Sequence, residues 1–450
     1  MNTTKVIKID PVTRIEGHAE IKLFLDENNH LIDSQVKVVE FRGFEKFLIG
    51  RPVEEMPLIT PRMCGICHSP HHLCSAKAVD SAFGLEPEDI PPTAFKLRRL
   101  MLHGSFIHSH VLHFFYLAAP DLVLGPDSDP AKRNVFGVLE ANPELVKKVI
   151  ATRKVGQKIT KILGGRTVHP VTAVPGGQST GLTQENRDSI ERDVKDIATN
   201  FLPEAKDLAL SLFDKYLDVI KVLGVVPTSH MGMVNDEGAL RFYQGKVRLI
   251  DQNAQILEEF SSSNTEYRDV IAERVKDFSY LKFPYYKKRS FEDGCYRVGP
   301  LARINAADKI DTPIAQELLT EFRNKFGRPA NQSLLYHYAR IIELANAVET
   351  TLELLQDPDI LGTKLRTPVK PREAEGVGIL EAHRGVLFHH YVTDKQGKTT
   401  DVNLIVATVS NNEAINRSVN VSAKDLIVDA QPAEGLLNRL EMVVRAYDPC

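Results

Sequence analysis

The chain has 450 residues, 43% hydrophobic and 26% charged, with 56 Lys and Arg against 59 Asp and Glu and a formal net charge of −3. That composition and length suit a globular chain with a sizeable core, exclude a disordered one, and give no support to a nucleic-acid surface or a polybasic membrane anchor. The five Cys are an odd number and cannot all pair within the chain, so the sequence predicts a reduced, cytoplasmic setting in which thiols serve another end.

In chain order, residues 4–41 read as β structure. Ala19, Ile21, Leu23 and Leu25 alternate with Glu20 and Lys22, Asn28-Asn29 makes a turn, and Leu31 to Phe41 is the return strand. Helical patterns follow. Thr93 is expected to cap a helix from Ala94 to about Leu117, and Thr183 another that Pro203 breaks from a helix ending near Gly224. Leu334 to Leu355 is the clearest amphipathic helix, with Leu335, Ala339, Ile342, Ala345 and Val348 on one stripe. Between Arg384 and Val409 the β pattern returns, with Asp394 to Lys398 as a hairpin tip, while Gly164-Gly165 and Pro175-Gly176-Gly177 mark loops. No apolar run approaches the ~18 residues of a membrane span, and the N-terminus carries no signal-peptide core. The expected fold is therefore α+β and mainly helical, one domain over residues 1–450. It comprises an N-terminal β region at 4–41, a helical-bundle body at 92–360, and a C-terminal β hairpin and metal-site end at 384–450.

The segment Arg62-Met63-Cys64-Gly65-Ile66-Cys67-His68-Ser69-Pro70-His71 carries the chemistry. Two thiols three apart can grip one metal, with Gly65 allowing a tight turn between them. A pair of buried structural cysteines is the plain alternative. A thioredoxin-like dithiol needs a βαβ unit that the pattern does not show. Zinc needs four ligands, which His68 or His71 could help supply. Cys64 to His68 also reads as C-x-x-C-H, the c-type haem attachment pattern, which normally accompanies export.

Read with the rest of the chain, the segment resembles the R-x-C-G-x-C-x-x-x-H signature of the large subunit of nickel–iron hydrogenases. Arg14-Ile15-Glu16-Gly17-His18 resembles that family's R-I-E-G-H element, and Phe41-Arg42-Gly43-Phe44-Glu45 its R-G-F-E element. Gly164-Gly165, His169-Pro170 and Pro175-Gly176-Gly177 are similar to its central region, Arg384-Gly385 to its A-P-R-G, and Asp448-Pro449-Cys450 to the start of its D-P-C-x-x-C. The elements stand in family order from residue 14 to residue 450. The likeness is to the cytoplasmic archaeal-type enzymes of methanogenesis, which couple hydrogen oxidation to a deazaflavin or a heterodisulfide reductase.

The resemblance implies a nickel–iron centre whose iron carries cyanide and carbon monoxide. Cys64 and Cys450 would be terminal nickel ligands, and Cys67 would bridge nickel and iron. The fourth family thiolate falls beyond Cys450. It lies in residues outside this sequence, on a separate peptide, or at a residue such as selenocysteine, or else the protein is a non-catalytic homologue. Glu16 would relay protons from a terminal thiolate. Arg384 would lie over the open site, where its fixed charge suits it, with Asp448 and Asp121 as candidate partners. His383 stands where relatives have Pro. His71 would hydrogen-bond the Cys67 sulfur, Thr408 or a neighbour a cyanide, and Glu45 resembles a magnesium ligand. His103, His108, His110 and His113 are expected as polar helix positions or satisfied core residues. A cluster wants four Cys, and Cys74 and Cys295 are too few, so electrons must leave through an iron–sulfur small subunit. A deazaflavin- or flavin-binding subunit or a heterodisulfide reductase would lie beyond it. The reaction implied is reversible heterolytic cleavage of dihydrogen. The alternative is a non-catalytic scaffold like the hydrogenase-derived subunit of respiratory complex I, but such relatives have lost the cysteines that remain here. A c-type cytochrome ranks third.

Overall fold

The computed structural model describes residues 5–41, 43–427 and 434–450. Thr4 of the expected β region and Arg42 of the Phe41 to Glu45 element lie outside the described residues. The N-terminal alternation forms a three-stranded antiparallel sheet of Lys5–Ile9, Ala19–Leu25 and Leu31–Val38. Ile9 pairs with Ile21 and Leu23 with Ser34, which leaves Ile21, Leu23 and Leu25 fully buried on one face. Asn29, at φ 62°, turns the second connection, a conformation Asn tolerates. The first connection, residues 10–18, is pinned to the far end of the chain. Thr13 donates through its amide and hydroxyl to Glu441 at 2.7 and 3.0 Å, Arg445 Nε donates to the Thr13 carbonyl at 3.0 Å, and the Glu16 amide donates to the Pro449 carbonyl at 3.3 Å.

The helix at Pro92–Leu112 starts earlier than expected. Pro91 is its N-cap residue, and the Thr93 hydroxyl instead donates to the Asp359 carbonyl at 2.8 Å. It runs on through wide turns at His113–Ala118 and Pro120–Leu124. It crosses Pro143–Gly164 closely, because a Cβ on Gly156 would stand 2.6 Å from the Gly104 carbonyl oxygen. Gln184–Asp196 is capped by Thr183 as expected, its hydroxyl accepting the Asn186 amide at 3.3 Å. Pro203 does not break the chain there. A wide turn at Ile197–Phe201 leads into Leu202–Lys215, and the proline sits in that helix's first turn, where its missing N–H forfeits no bond.

The expected amphipathic helix is Tyr336–Gln356, and it is buried on nearly every face. It packs against Pro92–Leu112, Pro300–Ala306, Pro313–Phe326 and Leu202–Lys215 at once. Its apolar stripe is real, but the face beside it carries buried His337, Arg340, Glu343 and Asn346 rather than solvated groups. Among the described residues, three sheets lie inside the expected helical body, the smallest being Ala173–Val174 paired with Gly177–Gln178 around the expected loop. Tyr296–Arg297, Ser229–Val234, Lys246–Ile250 and Ile256–Ser261 form one sheet in that order, and Ile271–Arg274 pairs with Phe283–Tyr286. Ser229–Val234 is buried at every position, so no alternation announces it.

The C-terminal sheet, Ala374–Ala382, Gly385–Thr393 and Thr399–Ile405, starts before the expected Arg384. Asp394 to Lys398 is its hairpin tip as expected, the Asp394 amide donating to the Lys398 carbonyl at 2.9 Å. The sheet lies directly on the buried helix His68–Ala82: a Cβ on Gly378 would collide with the Cys74 carbonyl and the Ala78 amide. Beyond it the chain is helical, Ala407–Leu426 and Glu434–Tyr447, rather than β alone. The architecture is α+β and mainly helical, as the sequence predicts. Among the described residues no helix is long and apolar enough to cross a membrane.

Candidate metal centre

Three separate pieces of backbone bring three cysteines to one point. Cys64 closes the short turn Thr60–Met63 in an extended conformation, Cys67 is the N-cap of His68–Ala82, and Cys450 follows Asp448, whose φ of 56° swings the chain back. Cys67 Sγ lies 3.2 Å from Cys450 Sγ, and the Cys67 amide donates to Cys64 Sγ at 3.1 Å. All three sulfurs fall within 4.8 Å of one another. The sequence led us to expect three unpaired thiols. Instead Cys64 and Cys450 stand within disulfide-bonding reach, with Cα atoms 6.8 Å apart, and both sulfurs must be in the reduced thiolate form to take a metal.

The donor set fits a metal centre. Metal–thiolate bonds of about 2.3 Å place two sulfurs on one ion roughly 3.3–3.8 Å apart, and soft thiolates suit nickel and iron. Burial pushes the Cys67 thiol up to about 12, against the opposing pull of Arg384, so its thiolate form calls for a cation beside it. His68 and His71 do not join the sulfurs, which removes the zinc reading with a histidine ligand: among the described residues the ligand group is Cys64, Cys67 and Cys450.

Arg384 sits in the two-residue turn between paired Ala382 and Gly385, fully enclosed. Its Nε donates to the Asp448 carbonyl at 2.8 Å, and its Nη2 donates to Asp448 Oδ1 at 3.1 Å. Glu16 Oε1 accepts the Gly65 amide at 3.2 Å and lies 3.9 Å from Cys64 Sγ. Glu16 and Cys450 also line a cavity of about 220 Å³ shared with His18, Glu40 and Thr408. The Cys450 amide donates to the Thr408 hydroxyl oxygen at 2.9 Å.

Other expected residues lie elsewhere or bond otherwise. Asp121 does not pair with Arg384. It accepts from Arg14 at 2.6 and 3.0 Å, from Asn438 at 3.2 Å and from Arg445, cations from opposite chain ends that reach it first. No hydrogen bond joins the His71 ring to the Cys67 sulfur among the described residues. His71 Nδ1 faces His389 Nε2 at 3.1 Å, and the row continues from His389 to the Tyr391 hydroxyl at 2.7 Å and on to Ser75 at 2.9 Å. Glu45 accepts from the Leu404 amide at 2.9 Å and from Lys282 at 3.4 Å. His383 is bonded to the Ser105 hydroxyl at 3.0 Å. Cys74 donates to the Gly378 and Leu387 carbonyls, and Cys295 is buried.

The helix histidines are core residues, only half satisfied. His110 Nε2 meets Glu343 at 2.9 Å and His113 Nε2 meets the Arg445 carbonyl at 2.8 Å, while the other ring nitrogens of both have no partner among the described residues. Sequence reasoning missed the buried charges behind the centre. Arg303 bonds Glu343 at 2.6 and 2.7 Å and Glu381 at 2.7 Å, and it also bonds the His383 carbonyl at 2.9 Å. The available signal was the run His337, Arg340, Glu343 and Asn346, which recurs every three residues beside the apolar stripe of the same helix.

Three converging sulfurs and a buried arginine fixed to Asp448, on a mainly helical α+β scaffold, suit a metal-dependent redox protein. A family model described as nickel-dependent hydrogenase matches residues 42–132 and 231–450, and one described as HoxL-like matches 6–41. A subunit of the vhu F420-non-reducing hydrogenase of Methanococcus voltae is 47% identical over 94% of this chain and 99% of its own. The NAD-reducing hydrogenase HoxS subunit beta of Cupriavidus necator is 40% identical over 99% of this chain and 93% of its own. A solved NAD+-reducing NiFe-hydrogenase in its H2-reduced state has a TM-score of 0.96 at 39% identity, covering 100% of this chain and 99% of that one. The chain belongs to the nickel-dependent hydrogenases. It is the large, catalytic subunit of a nickel–iron hydrogenase.

Proposed function

We propose that Cys64 and Cys450 are terminal nickel thiolates and Cys67 bridges nickel and iron, with cyanide and carbon monoxide completing the iron. The convergence of three sulfurs within 4.8 Å carries this reading. When bound, such a centre supplies Lewis-acidic metals between which dihydrogen is polarised and split heterolytically. The protein's part is to hold charge and move the proton. Arg384, fixed by two bonds to Asp448, sets a permanent cation beside the sulfurs. Glu16 takes a proton from the Cys64 sulfur and passes it through the adjoining cavity toward the exposed His18–Glu40 pair, whose atoms are 2.6 Å apart. The Thr408 hydroxyl, already accepting from Cys450, keeps its proton to donate to a cyanide. Asp121 and His71 act at a distance, the first as an anchor for Arg14 and Arg445, the second as the head of a bonded row behind Cys67. Glu45 would take magnesium in exchange for Lys282.

Electrons leave through an iron–sulfur partner subunit, because Cys74 and Cys295 are buried in the core and too few for a cluster, and the reading keeps both subunits in the cytoplasm. The acceptor beyond that partner belongs to a heterodisulfide-reductase type of complex, a reading supported by relatives named F420-non-reducing. An NAD-coupled complex is the second reading, favoured by the likeness to the NAD+-reducing enzyme. Nickel analysis and infrared spectroscopy of the anaerobically purified complex test the centre: stoichiometric nickel with cyanide and carbonyl bands is expected, and absence of both sinks it in favour of a scaffold. Reduction of NAD, but not of a disulfide acceptor, by hydrogen would reverse the order of the two acceptor readings.

A further inference from the structure

Arg303 stands on the short helix Pro300–Ala306, fully buried, its guanidinium 5.4 Å from the ring centres of both Phe106 and Phe242. A guanidinium carries five N–H donors, and here five bonds use them. Nε donates to Glu343 Oε1 at 2.6 Å. Nη1 donates to Glu381 Oε2 and to the Ala382 carbonyl, both at 2.7 Å. Nη2 donates to Glu343 Oε2 at 2.7 Å and to the His383 carbonyl at 2.9 Å. The two carboxylates are themselves fixed. Glu343 Oε2 also meets His110 Nε2 at 2.9 Å, and Glu381 Oε1 accepts the Met233 amide at 2.9 Å. The cluster thereby ties the helices Pro92–Leu112 and Tyr336–Gln356 to the strands Ser229–Val234 and Ala374–Ala382.

Ala382 and His383 are the two residues before Arg384. His383 and Arg384 form the turn between paired Ala382 and Gly385, so the strand ladder supplies no donor to the His383 carbonyl. A buried carbonyl needs one, and Arg303 supplies it. Arg384 is thus held at its tip by Asp448 and at its root by Arg303. We propose that Arg303 is a positioning residue of the hydrogenase centre: its bonds to the Ala382 and His383 carbonyls fix the turn from which Arg384 extends to Asp448. A planar fork seated on two carboxylates sets orientation as well as distance. An ammonium has three donors on one nitrogen and cannot serve two carboxylates and two carbonyls at once. The inference rests on the reading that places Arg384 beside the metals.

The test uses the holo complex. In a crystal structure of the parent, Arg303 should keep both carbonyl bonds; an Arg303 turned away from Ala382 and His383 overturns the proposal. Arg303→Lys keeps one positive charge between Glu343 and Glu381, so it should fold with nickel bound. Its Arg384 guanidinium should lose the single orientation, the cyanide bands should shift, and kcat for hydrogen–deuterium exchange should fall about 10–100-fold at unchanged KM. The triple variant R303Q/E343Q/E381Q removes the charges together and leaves none of them uncompensated. It should fold and show the same loss, which separates the lost fork from the lost charge. An unmoved Arg384, or full kcat, in either folded variant refutes the proposal. Failure of both variants to fold assigns Arg303 to the core alone and also overturns it. Absence of nickel from the parent complex sinks the metal reading alone, and the orientation of Arg384 in the two variants still decides the role of Arg303.

Discussion

Glu16 Oε1 accepts the Gly65 amide at 3.2 Å while standing 3.9 Å from Cys64 Sγ. One oxygen thus fastens the turn between the two cysteines and touches the sulfur that would give up a proton. Glu16→Gln keeps an oxygen able to accept from Gly65, so the fold and the nickel content should stay. An amide cannot carry the proton, and hydrogen–deuterium exchange should fall by about 10²–10⁴-fold, the usual worth of a positioned acid or base. Full exchange in a variant with full nickel would refute the relay.

What the sequence disclosed and what it hid follow one physical line. The nearness of Cys64 to Cys67 was legible because a spacing of three is a local property, and that of Asp448 to Cys450 because they are two residues apart. Thr183 announced its helix for the same local reason, whereas Thr93 spends its hydroxyl on Asp359, far away in sequence. Asp121 was misassigned because its partners, Arg14 and Arg445, come from opposite chain ends and no spacing rule connects them. The burial of Arg340 and Glu343 was not legible, since periodicity sees only the apolar stripe and not the neighbours that bury the other side.

Asp121→Asn should therefore behave as a broken anchor and not as a catalytic lesion. The carboxylate holds two guanidiniums, and weakening a buried charge cluster from one side costs about 3–5 kcal/mol. Arg14 and Arg445 fix the 10–18 loop and the helix before Cys450. The thermal midpoint and the nickel content should fall together, while activity per bound nickel stays near the parent's. A variant with unchanged midpoint and low activity per nickel would return Asp121 to the catalytic set.

Acid should unfold the protein through its neutral histidines. Within the bonding pattern, His72 Nδ1 donates to the Pro57 carbonyl at 2.6 Å and Nε2 accepts the Ala173 amide at 2.9 Å, so only the neutral ring fits. His230 is held likewise, donating to Asn331 at 3.2 Å and accepting from Asn305 at 3.3 Å. Burial lowers His72 from 6.5 to about 4 and His230 to about 3. Below 6.5 the unfolded chain binds protons that the folded rings refuse, so stability is whole above that pH and declines as pH falls toward 4 and 3. At pH 5 each ring takes away about 2 kcal/mol. Denaturant midpoints measured from pH 8 to pH 5 should fall steeply below 6.5, less so in His230→Asn, and a flat profile refutes the account.

Gly378 holds the last relation that the centre depends on, the seat of the helix His68–Ala82 on the sheet that carries Arg384. A methyl group there meets the backbone of that helix at two atoms, the Cys74 carbonyl and the Ala78 amide, and backbone cannot swing aside as a side-chain tip can. Gly378→Ala must therefore push helix and sheet apart, at about 1–3 kcal/mol for overpacking. Cys67 heads that helix and Arg384 follows the same strand, so the shift should reach the metals and lower nickel retention as well as the denaturant midpoint. Gly50→Ala is the control: no atom lies within 4 Å of its added carbon, and only its φ of 82° opposes the change, a strain of about 1–2 kcal/mol. That control should lower the midpoint with nickel retained. Equal nickel retention in both variants would mean that the contact at Gly378 supports the fold without setting the geometry of the centre.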